Sequence, residues 1–139
     1  MTSATTPADN QQLVHDWLAA FFASIDRMDA DGFAAHFDPA EGSFRFANQP
    51  PLCGRDAIAQ GASGIFAMLS AIRHDVSKCW TAEGDVLVEG TVHYGRLDDG
   101  AELSFPFMSV FEYVGEWLGP IRSYRVFVDS HELYESPAS

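Results

Sequence analysis

Hydrophobic positions follow a helical spacing in the first half of the chain and an alternating spacing in the second half. Apolar side chains between Leu13 and Met28 recur every three to four residues, which predicts a long amphipathic helix beginning at residue 9. The same spacing predicts a short second helix over residues 33–37 and a third helix over residues 55–72. The N-terminal half is therefore expected to be mainly helical.

After His74 the hydrophobic period changes to two, which is typical of strands with one buried face. Turn sequences at residues 83–85, 98–100 and 115–116 separate four strands, and the alternating segment 43–47 predicts a shorter strand before the third helix. Helices followed by an antiparallel meander indicate an α+β domain in which the helices pack on one face of the sheet. The predicted long strands cover residues 76–81, 86–97, 102–114 and 117–129.

The size and composition indicate a single folded domain with an acidic surface. The chain has 139 residues, of which 47% are hydrophobic and 13% aromatic. We expect a tail at residues 1–8, one domain at residues 9–131 and a C-terminal tail at residues 132–139. The net charge of −12 repels phosphate groups and anionic lipids, so no nucleic-acid or membrane partner is expected. The polar opening segment has no signal-type apolar core, which favours a cytoplasmic location.

Cysteine and histidine spacing predicts no metal site and no cofactor. Cys53 and Cys79 fit neither a zinc pattern nor a redox pair, and both are expected to be reduced. No two of the five histidines flank an acidic residue at the helical spacing of metal-binding helices. Gly61 and Gly64 lie in a helical pattern without the lysine of a phosphate loop, so no nucleotide is expected either.

Asp129 is the candidate catalytic residue of the predicted sheet. It follows the apolar run at residues 126–128, and a carboxylate in an apolar setting is suited to general acid or base work. The alternative is a strand-end aspartate that caps a turn with Ser130. Large aromatic side chains beside Gly90 and Ser109 leave room for a cavity, although they could equally fill the core.

Three segments resemble the nuclear transport factor 2-like superfamily, in particular its SnoaL-like and limonene-epoxide-hydrolase-like branch. They are HFDP at residues 36–39, FANQPPLCGRDAI at residues 46–58 and IRSYRVFVD at residues 121–129. The resemblance implies a cone-shaped α+β fold in which a strongly curved, mixed or antiparallel sheet is wrapped by three N-terminal helices around a pocket. It also implies a homodimer and an apolar small-molecule ligand.

The resemblance also implies roles for particular residues. Asp129 is similar to the pocket carboxylate that serves as a base in the epoxide hydrolases and SnoaL-type cyclases, and Asn48 is similar to the asparagine that holds the reactive water. The expected ligand-binding residues are helical and sheet side chains around the pocket, namely Trp17, Phe21, His36, Phe46, Ile65, Phe66, Leu69, Val92, Tyr94, Phe105, Phe107 and Phe127.

Several partner residues of the related enzymes are missing from this sequence. The Arg and Asp that protonate and orient an epoxide correspond to Gly90 and Val92, and the water-binding tyrosine corresponds to Phe46. The first helix has no tyrosine for the oxyanion hole of a ketosteroid isomerase. The sequence therefore leaves open an isomerase, cyclase or hydrolase centred on Asp129, a non-catalytic ligand-binding domain, and a structural or dimerising module.

Overall fold

The computed structural model describes residues 7–135, with side chains from residue 10 onward. The elements are, in chain order, α1 (Pro7–Asp26), α2 (Ala30–Ala34), β1 (Ser43–Phe46), β2 (Leu52–Cys53), α3 (Arg55–Phe66), β3 (Leu69–Ala82), β4 (Asp85–Arg96), β5 (Glu102–Tyr113), β6 (Ile121–Val128) and a short 3-10 helix (His131–Tyr134). None of the described helices is both long enough and apolar enough to cross a lipid bilayer.

The six strands form one mixed sheet in the order β2-β1-β6-β5-β4-β3. Strand β1 runs parallel to β6, and every other neighbouring pair is antiparallel. Helices α1 and α3 pack against the inner face of this sheet. The predicted α+β class is confirmed, and alternate residues of β4 such as Val86, Val88 and Val92 are buried on the inner face.

An aromatic cluster joins α1 to the middle of the sheet. Phe111 of β5 stacks on Tyr124 of β6 with a centroid distance of 4.6 Å, and its ring meets Phe21 of α1 edge-on at 5.0 Å. Trp17, one turn before Phe21 in α1, stacks on Phe21 and meets Phe111 edge-on. Phe21 and Phe111 are fully buried, and offset or edge-on aromatic pairs add to the free energy of burial. This cluster fixes α1 on the sheet.

Helix α3 is shorter than predicted, and strand β3 begins earlier. The predicted helix at residues 55–72 was wrong beyond Phe66, because the chain enters the ladder with β4 at Leu69. A register shift between Leu69 and Ala71 turns both Leu69 and Ile72 inward although they are three residues apart. A β-bulge thus reproduced the spacing of a helical stripe.

The second helix lies three residues before its predicted start. The side chain of Asp29 accepts a hydrogen bond of 3.0 Å from the backbone N–H of Gly32, which caps α2. Asp29 and Asp31 therefore lie at the start of the second helix, and Phe37 follows that helix as a fully buried side chain.

The chain after β6 packs against the domain. Leu133 of the 3-10 helix is buried. The Nη1 atom of Arg96 donates to the carbonyl oxygens of Glu132 and Glu135, both at 2.9 Å. Packed structure therefore continues past residue 131, where the C-terminal tail was predicted to begin. Residues 1–6 of the predicted N-terminal tail and residues 136–139 of the predicted C-terminal tail lie outside the described residues.

Gly90 of β4 has no room for a side chain. A Cβ atom at this position would overlap the backbone carbonyl of Asp75, opposite the irregularity in β3. We expect Gly90→Ala to lower the free energy of unfolding by about 1–3 kcal/mol, the usual cost of overpacking. Gly64→Ala is the matched control: no atom lies within 4 Å of its Cβ position, and alanine should stabilise α3 by roughly 0.5–1 kcal/mol. Denaturant titration of both variants measures the difference, and an equal stability of the two would contradict it.

Candidate functional site

An apolar cavity lies between the inner face of the sheet, the end of α1 and helix α3. Its volume is about 40 Å³ in this conformation, which holds a few water molecules at most. Small-molecule sites usually measure roughly 300–1,000 Å³. The lining side chains are Ile25, Phe33, Phe44, Phe46, Ala62, Ile65, Phe66, Ile72, His74, Val92, Tyr94, Phe107, Tyr124 and Val126. We refer to this space as the inner cavity.

Among the residues that the structure describes, His74 is the only imidazole in the lining of the inner cavity, and it pairs with Asp26. Its Nδ1 atom lies 2.7 Å from Oδ1 of Asp26, and its backbone N–H donates to Oδ2 of the same carboxylate at 3.2 Å. Asp26 is the last residue of α1, and His74 lies in the N-terminal half of β3. The carboxylate therefore fixes both the backbone and the ring of His74.

Aromatic rings hold the imidazole of His74 from two further sides. Phe22 stacks on it with a centroid distance of 4.5 Å, and Phe107 meets it edge-on at 5.5 Å. Only 7% of the His74 side chain is exposed, whereas 29% of the Asp26 side chain is. The ring is thus held in one orientation with its carboxylate partner on the solvent side.

The pairing with Asp26 determines the tautomer of a neutral His74. An ionised carboxylate can only accept hydrogen bonds, so the proton of the imidazole resides on Nδ1. The other ring nitrogen, Nε2, then carries a lone pair, and no described residue makes a hydrogen bond to it. This is the arrangement of a general base oriented by a carboxylate.

Two phenols are the other polar groups of the cavity lining. Burial raises the pKa of Tyr94 and that of Tyr124 well above the usual value for tyrosine. Both hydroxyls therefore remain protonated at neutral pH and can donate hydrogen bonds. With His74, the lining combines one proton acceptor and two neutral donors in an otherwise apolar wall.

Half of the twelve predicted ligand-binding residues line the inner cavity. They are Phe46, Ile65, Phe66, Val92, Tyr94 and Phe107. Leu69 and Phe105 are buried outside the lining. Trp17, Phe21 and His36 belong to the aromatic packing of α1 and α2, where Nδ1 of His36 lies 3.0 Å from the carbonyl oxygen of Gly32. Whether the six lining residues bind a ligand stays a prediction.

The structure brings Asp129 and Asn48 together, but outside the inner cavity. Both line an open cleft of about 780 Å³ beside β1 and the end of β6, together with Arg45 and Phe127. Asp129 is exposed and accepts a hydrogen bond of 3.2 Å from the backbone N–H of His131. It therefore has the turn-capping geometry that the sequence left as the alternative, rather than the expected apolar setting.

The sequence interpretation missed both members of the Asp26–His74 pair. Asp26 lies in the predicted first helix without a predicted role, and His74 lies between the predicted third helix and the predicted strand. One signal was present: His74 is two residues from Ile72, and alternation places both on the buried face once the strand begins early. The contact itself joins residues 48 positions apart, which no local pattern reveals.

The described part of the chain contains no candidate metal-binding site. Among residues 10–135, no group of three or more histidine, cysteine, aspartate or glutamate side chains has an arrangement that could hold a metal ion. Both cysteines are free, with Cys53 exposed and Cys79 half-buried. The polar side chains at the inner cavity are His74 with its partner Asp26 and the phenols of Tyr94 and Tyr124.

A known protein family matches the greater part of the chain. The sequence profile of the SnoaL-like domain matches residues 18–116. The search of curated proteins found no match.

Solved structures with the same fold cover most of the chain. A hypothetical protein with a ketosteroid isomerase-like fold from Catenulispora acidiphila, in complex with trimethylamine, is 18% identical over 88% of this chain and 86% of its own, with a TM-score of 0.72. An NTF2-like protein of unknown function from Burkholderia pseudomallei is 13% identical over 86% and 92%, with a TM-score of 0.73. TerC, co-crystallised with polyporic acid, is 17% identical over 87% and 97%, with a TM-score of 0.73. At these identities the likeness establishes the fold alone.

Proposed function

The chain belongs to the SnoaL-like domain family, and we propose that it is an acid–base enzyme in which His74, oriented by Asp26, transfers protons on a small apolar substrate in the inner cavity. The observation that carries this proposal is the 2.7 Å pair between Nδ1 of His74 and Asp26 at an apolar wall. The proposal replaces Asp129 as the catalytic base, because Asp129 is exposed in a separate cleft.

The proposed reaction begins with removal of a proton from a carbon next to a carbonyl group. Nε2 of His74 takes the proton, and the electron pair of the C–H bond moves into an enolate. Asp26 stabilises the imidazolium through Nδ1, and the hydroxyl of Tyr94 donates to the enolate oxygen. In an unsaturated ketone, return of the proton from His74 to the distal carbon of the dienolate gives an isomerisation. In a compound with a second carbonyl group, attack of the enolate carbon on that group forms a carbon–carbon bond, and the resulting alkoxide takes the proton back from His74 to complete a cyclisation.

The lining also limits the class of substrate. Phenylalanine, isoleucine and valine side chains form most of the wall, so a neutral, largely apolar carbonyl compound fits it best. Its entry requires the cavity to widen beyond 40 Å³. Ile65 and Phe66 in the last turn of α3 are only partly buried, and their movement is the simplest way to widen it.

Exchange of substrate hydrogen for deuterium tests this function without knowledge of the final product. A panel of small ketones, enones and hydroxylated aromatic ketones is incubated with the protein in D2O, and deuterium incorporation is followed by mass spectrometry. Catalysed exchange into at least one compound, beyond the rate given by free imidazole at the same concentration, is the expected result. Absence of catalysed exchange across the panel would count against a carbon-acid reaction.

A structural or dimerising module is the second candidate, and the small volume of the inner cavity favours it. A cavity of 40 Å³ that never widens would admit no substrate. Native mass spectrometry of the purified protein separates the two candidates. A retained apolar molecule that dissociates on denaturation supports an accessible cavity, whereas a ligand-free dimer without catalysed exchange supports the module. The same spectra test the predicted homodimer.

A further inference from the structure

A second cluster of chemically active side chains lies on the outer face of the sheet. His93 of β4 and Ser104 of β5 are directly opposite each other in the ladder, and Nδ1 of His93 lies 2.7 Å from Oγ of Ser104. On the other side of the ring, Nε2 lies 2.8 Å from Oδ2 of Asp75 in β3. Ser104, His93 and Asp75 therefore form a continuous relay across three adjacent strands, which we call the outer relay.

The charges around the outer relay determine which atom carries each proton. Nη1 of Arg73 lies 2.6 Å from both carboxylate oxygens of Asp75. The hydrogen bonds from His93 and Arg73 lower the pKa of Asp75, so its carboxylate is ionised and can only accept. The proton of a neutral His93 is therefore on Nε2. Its Nδ1 atom is left to accept the hydroxyl proton of Ser104.

We propose that Ser104 is a nucleophile for acyl transfer, with His93 as its general base and Asp75 as the residue that orients the imidazole. A hydroxyl, a base within hydrogen-bond reach and a carboxylate behind the base are the parts that such a nucleophile requires. In the usual serine triad, Nε2 of the histidine faces the serine and Nδ1 faces the aspartate. Here Nδ1 of His93 faces Ser104 and Nε2 faces Asp75, and each nitrogen can still perform its role. The proposal does not depend on the inner cavity.

Space for an acyl group is present beside the outer relay. A cleft of about 320 Å³ is lined by Ser104 and His93 and by Arg73, Gly95 and Gly100. The side chains of His93 and Asp75 are 32% and 52% exposed, so a substrate can approach from solvent. Arg73 contributes a positive charge to the cleft wall, where it would favour a developing oxyanion. These features suit an activated ester with a small acyl group.

The proposed acyl transfer has two stages, in which Ser104 is first acylated and the acyl-serine is then hydrolysed by water. Oγ of Ser104 forms a bond to the carbonyl carbon while His93 takes the hydroxyl proton, and the resulting oxyanion collapses with loss of the alkoxide. His93 returns the proton to that alkoxide. Water then attacks the acyl-serine with His93 again as the base, and the carboxylic acid and free Ser104 are regenerated.

Labelling with a fluorophosphonate probe tests the outer relay directly. Attack of Oγ on phosphorus expels fluoride and leaves a stable phosphonyl-serine, which peptide mapping by mass spectrometry assigns to a residue. We expect the full-length protein to be labelled at Ser104, and His93→Gln to slow this labelling roughly 100-fold or more because the general base is lost. Asp75→Asn should also slow the labelling of Ser104. The rate of p-nitrophenyl acetate hydrolysis should fall in every variant in which labelling is slower.

Two variants control for unspecific reaction of surface serines. Ser70→Ala removes a second hydroxyl from the same cleft and should leave labelling at Ser104 unchanged. Ser63→Ala removes an exposed hydroxyl of α3, outside this cleft, and should also leave the labelling at Ser104 unchanged. Circular dichroism verifies that each variant is folded. Absence of a phosphonyl group on Ser104, or equal labelling rates in wild type and His93→Gln, would overturn the proposal and make the outer relay a polar ladder that only supports the sheet.

Discussion

Replacing His74 by asparagine is expected to lower the rate of catalysed deuterium exchange roughly 10²–10⁴-fold, the range that a positioned general base contributes. The amide nitrogen of asparagine can still donate to Oδ1 of Asp26, as Nδ1 of the imidazole does, so the contact with α1 is retained. The lone pair of Nε2 has no counterpart in asparagine. The variant thus removes the base while largely retaining the fold, and the measurement is the initial exchange rate of the best compound of the panel.

Asp129→Asn is the matched control for the loss of a catalytic base. Asp129 is exposed and lies in the open cleft beside β1 and the end of β6, where no proposed proton transfer takes place. Its substitution should therefore leave the exchange rate within about twofold of wild type. Asp26→Asn should give an intermediate loss, because an amide orients the imidazole but cannot stabilise its positive charge. A full exchange rate in His74→Asn would show that His74 is not the base. A loss of exchange confined to Asp129→Asn would return the catalytic role to Asp129.

The fold was predictable from sequence because its main signals are local. A change of period from 3.6 to 2 separates the helical half from the strands, and Gly84, Gly100 and Gly115 mark the turns with positive φ angles. The error at β3 has a local cause as well. Leu69 and Ile72 are buried three residues apart only because a bulge lies between them, and that spacing is typical of a helix.

The direction of Asp129 was not predictable because the strand before it is apolar on both faces. Val126 and Val128 pair with Ser109 and Phe107 and point inward, which places Phe127 and Asp129 on the outer face. A run of three apolar residues contains no alternation, so either face could have been the buried one. The cross-strand register, which the sequence does not reveal, determines the outcome.

The inner cavity was predicted better from the sheet than from the helices. Val92, Tyr94 and Phe107 line it because alternation on β4 and β5 fixes their face independently of tertiary contacts. The side chains that α1 contributes depend instead on how that helix rotates on the sheet. Trp17 and Phe21 were expected in the lining, but Trp17 packs on Phe111 and Tyr113, and Phe21 packs on Phe111. Ile25, near the end of the helix, reaches the cavity instead.

Alkaline pH is expected to destabilise the domain by about 4 kcal/mol at pH 11, because three buried phenols cannot ionise in place. Tyr94, Tyr113 and Tyr124 are all less than 10% exposed, and burial raises the pKa of each above the value of about 10 for tyrosine in an unfolded chain. The folded state therefore retains protons that the unfolded state releases. The corresponding stability is fully present below pH 10 and is lost as the pH rises towards the pKa values of the folded state.

Each phenol should account for roughly 1.4 kcal/mol of the loss at pH 11, and denaturant titrations at pH 8, 9, 10 and 11 measure the sum. Tyr113→Phe isolates one contribution, since its hydroxyl is buried without a hydrogen-bond partner in the described structure and its removal breaks no contact. This variant should lose about a third less stability between pH 8 and pH 11 than wild type does. Tyr134→Phe is the control and should follow wild type more closely, because Tyr134 is 47% exposed and water reaches its phenolate. A free energy of unfolding that is the same at pH 8 and pH 11 would mean that water reaches the three buried phenols as well.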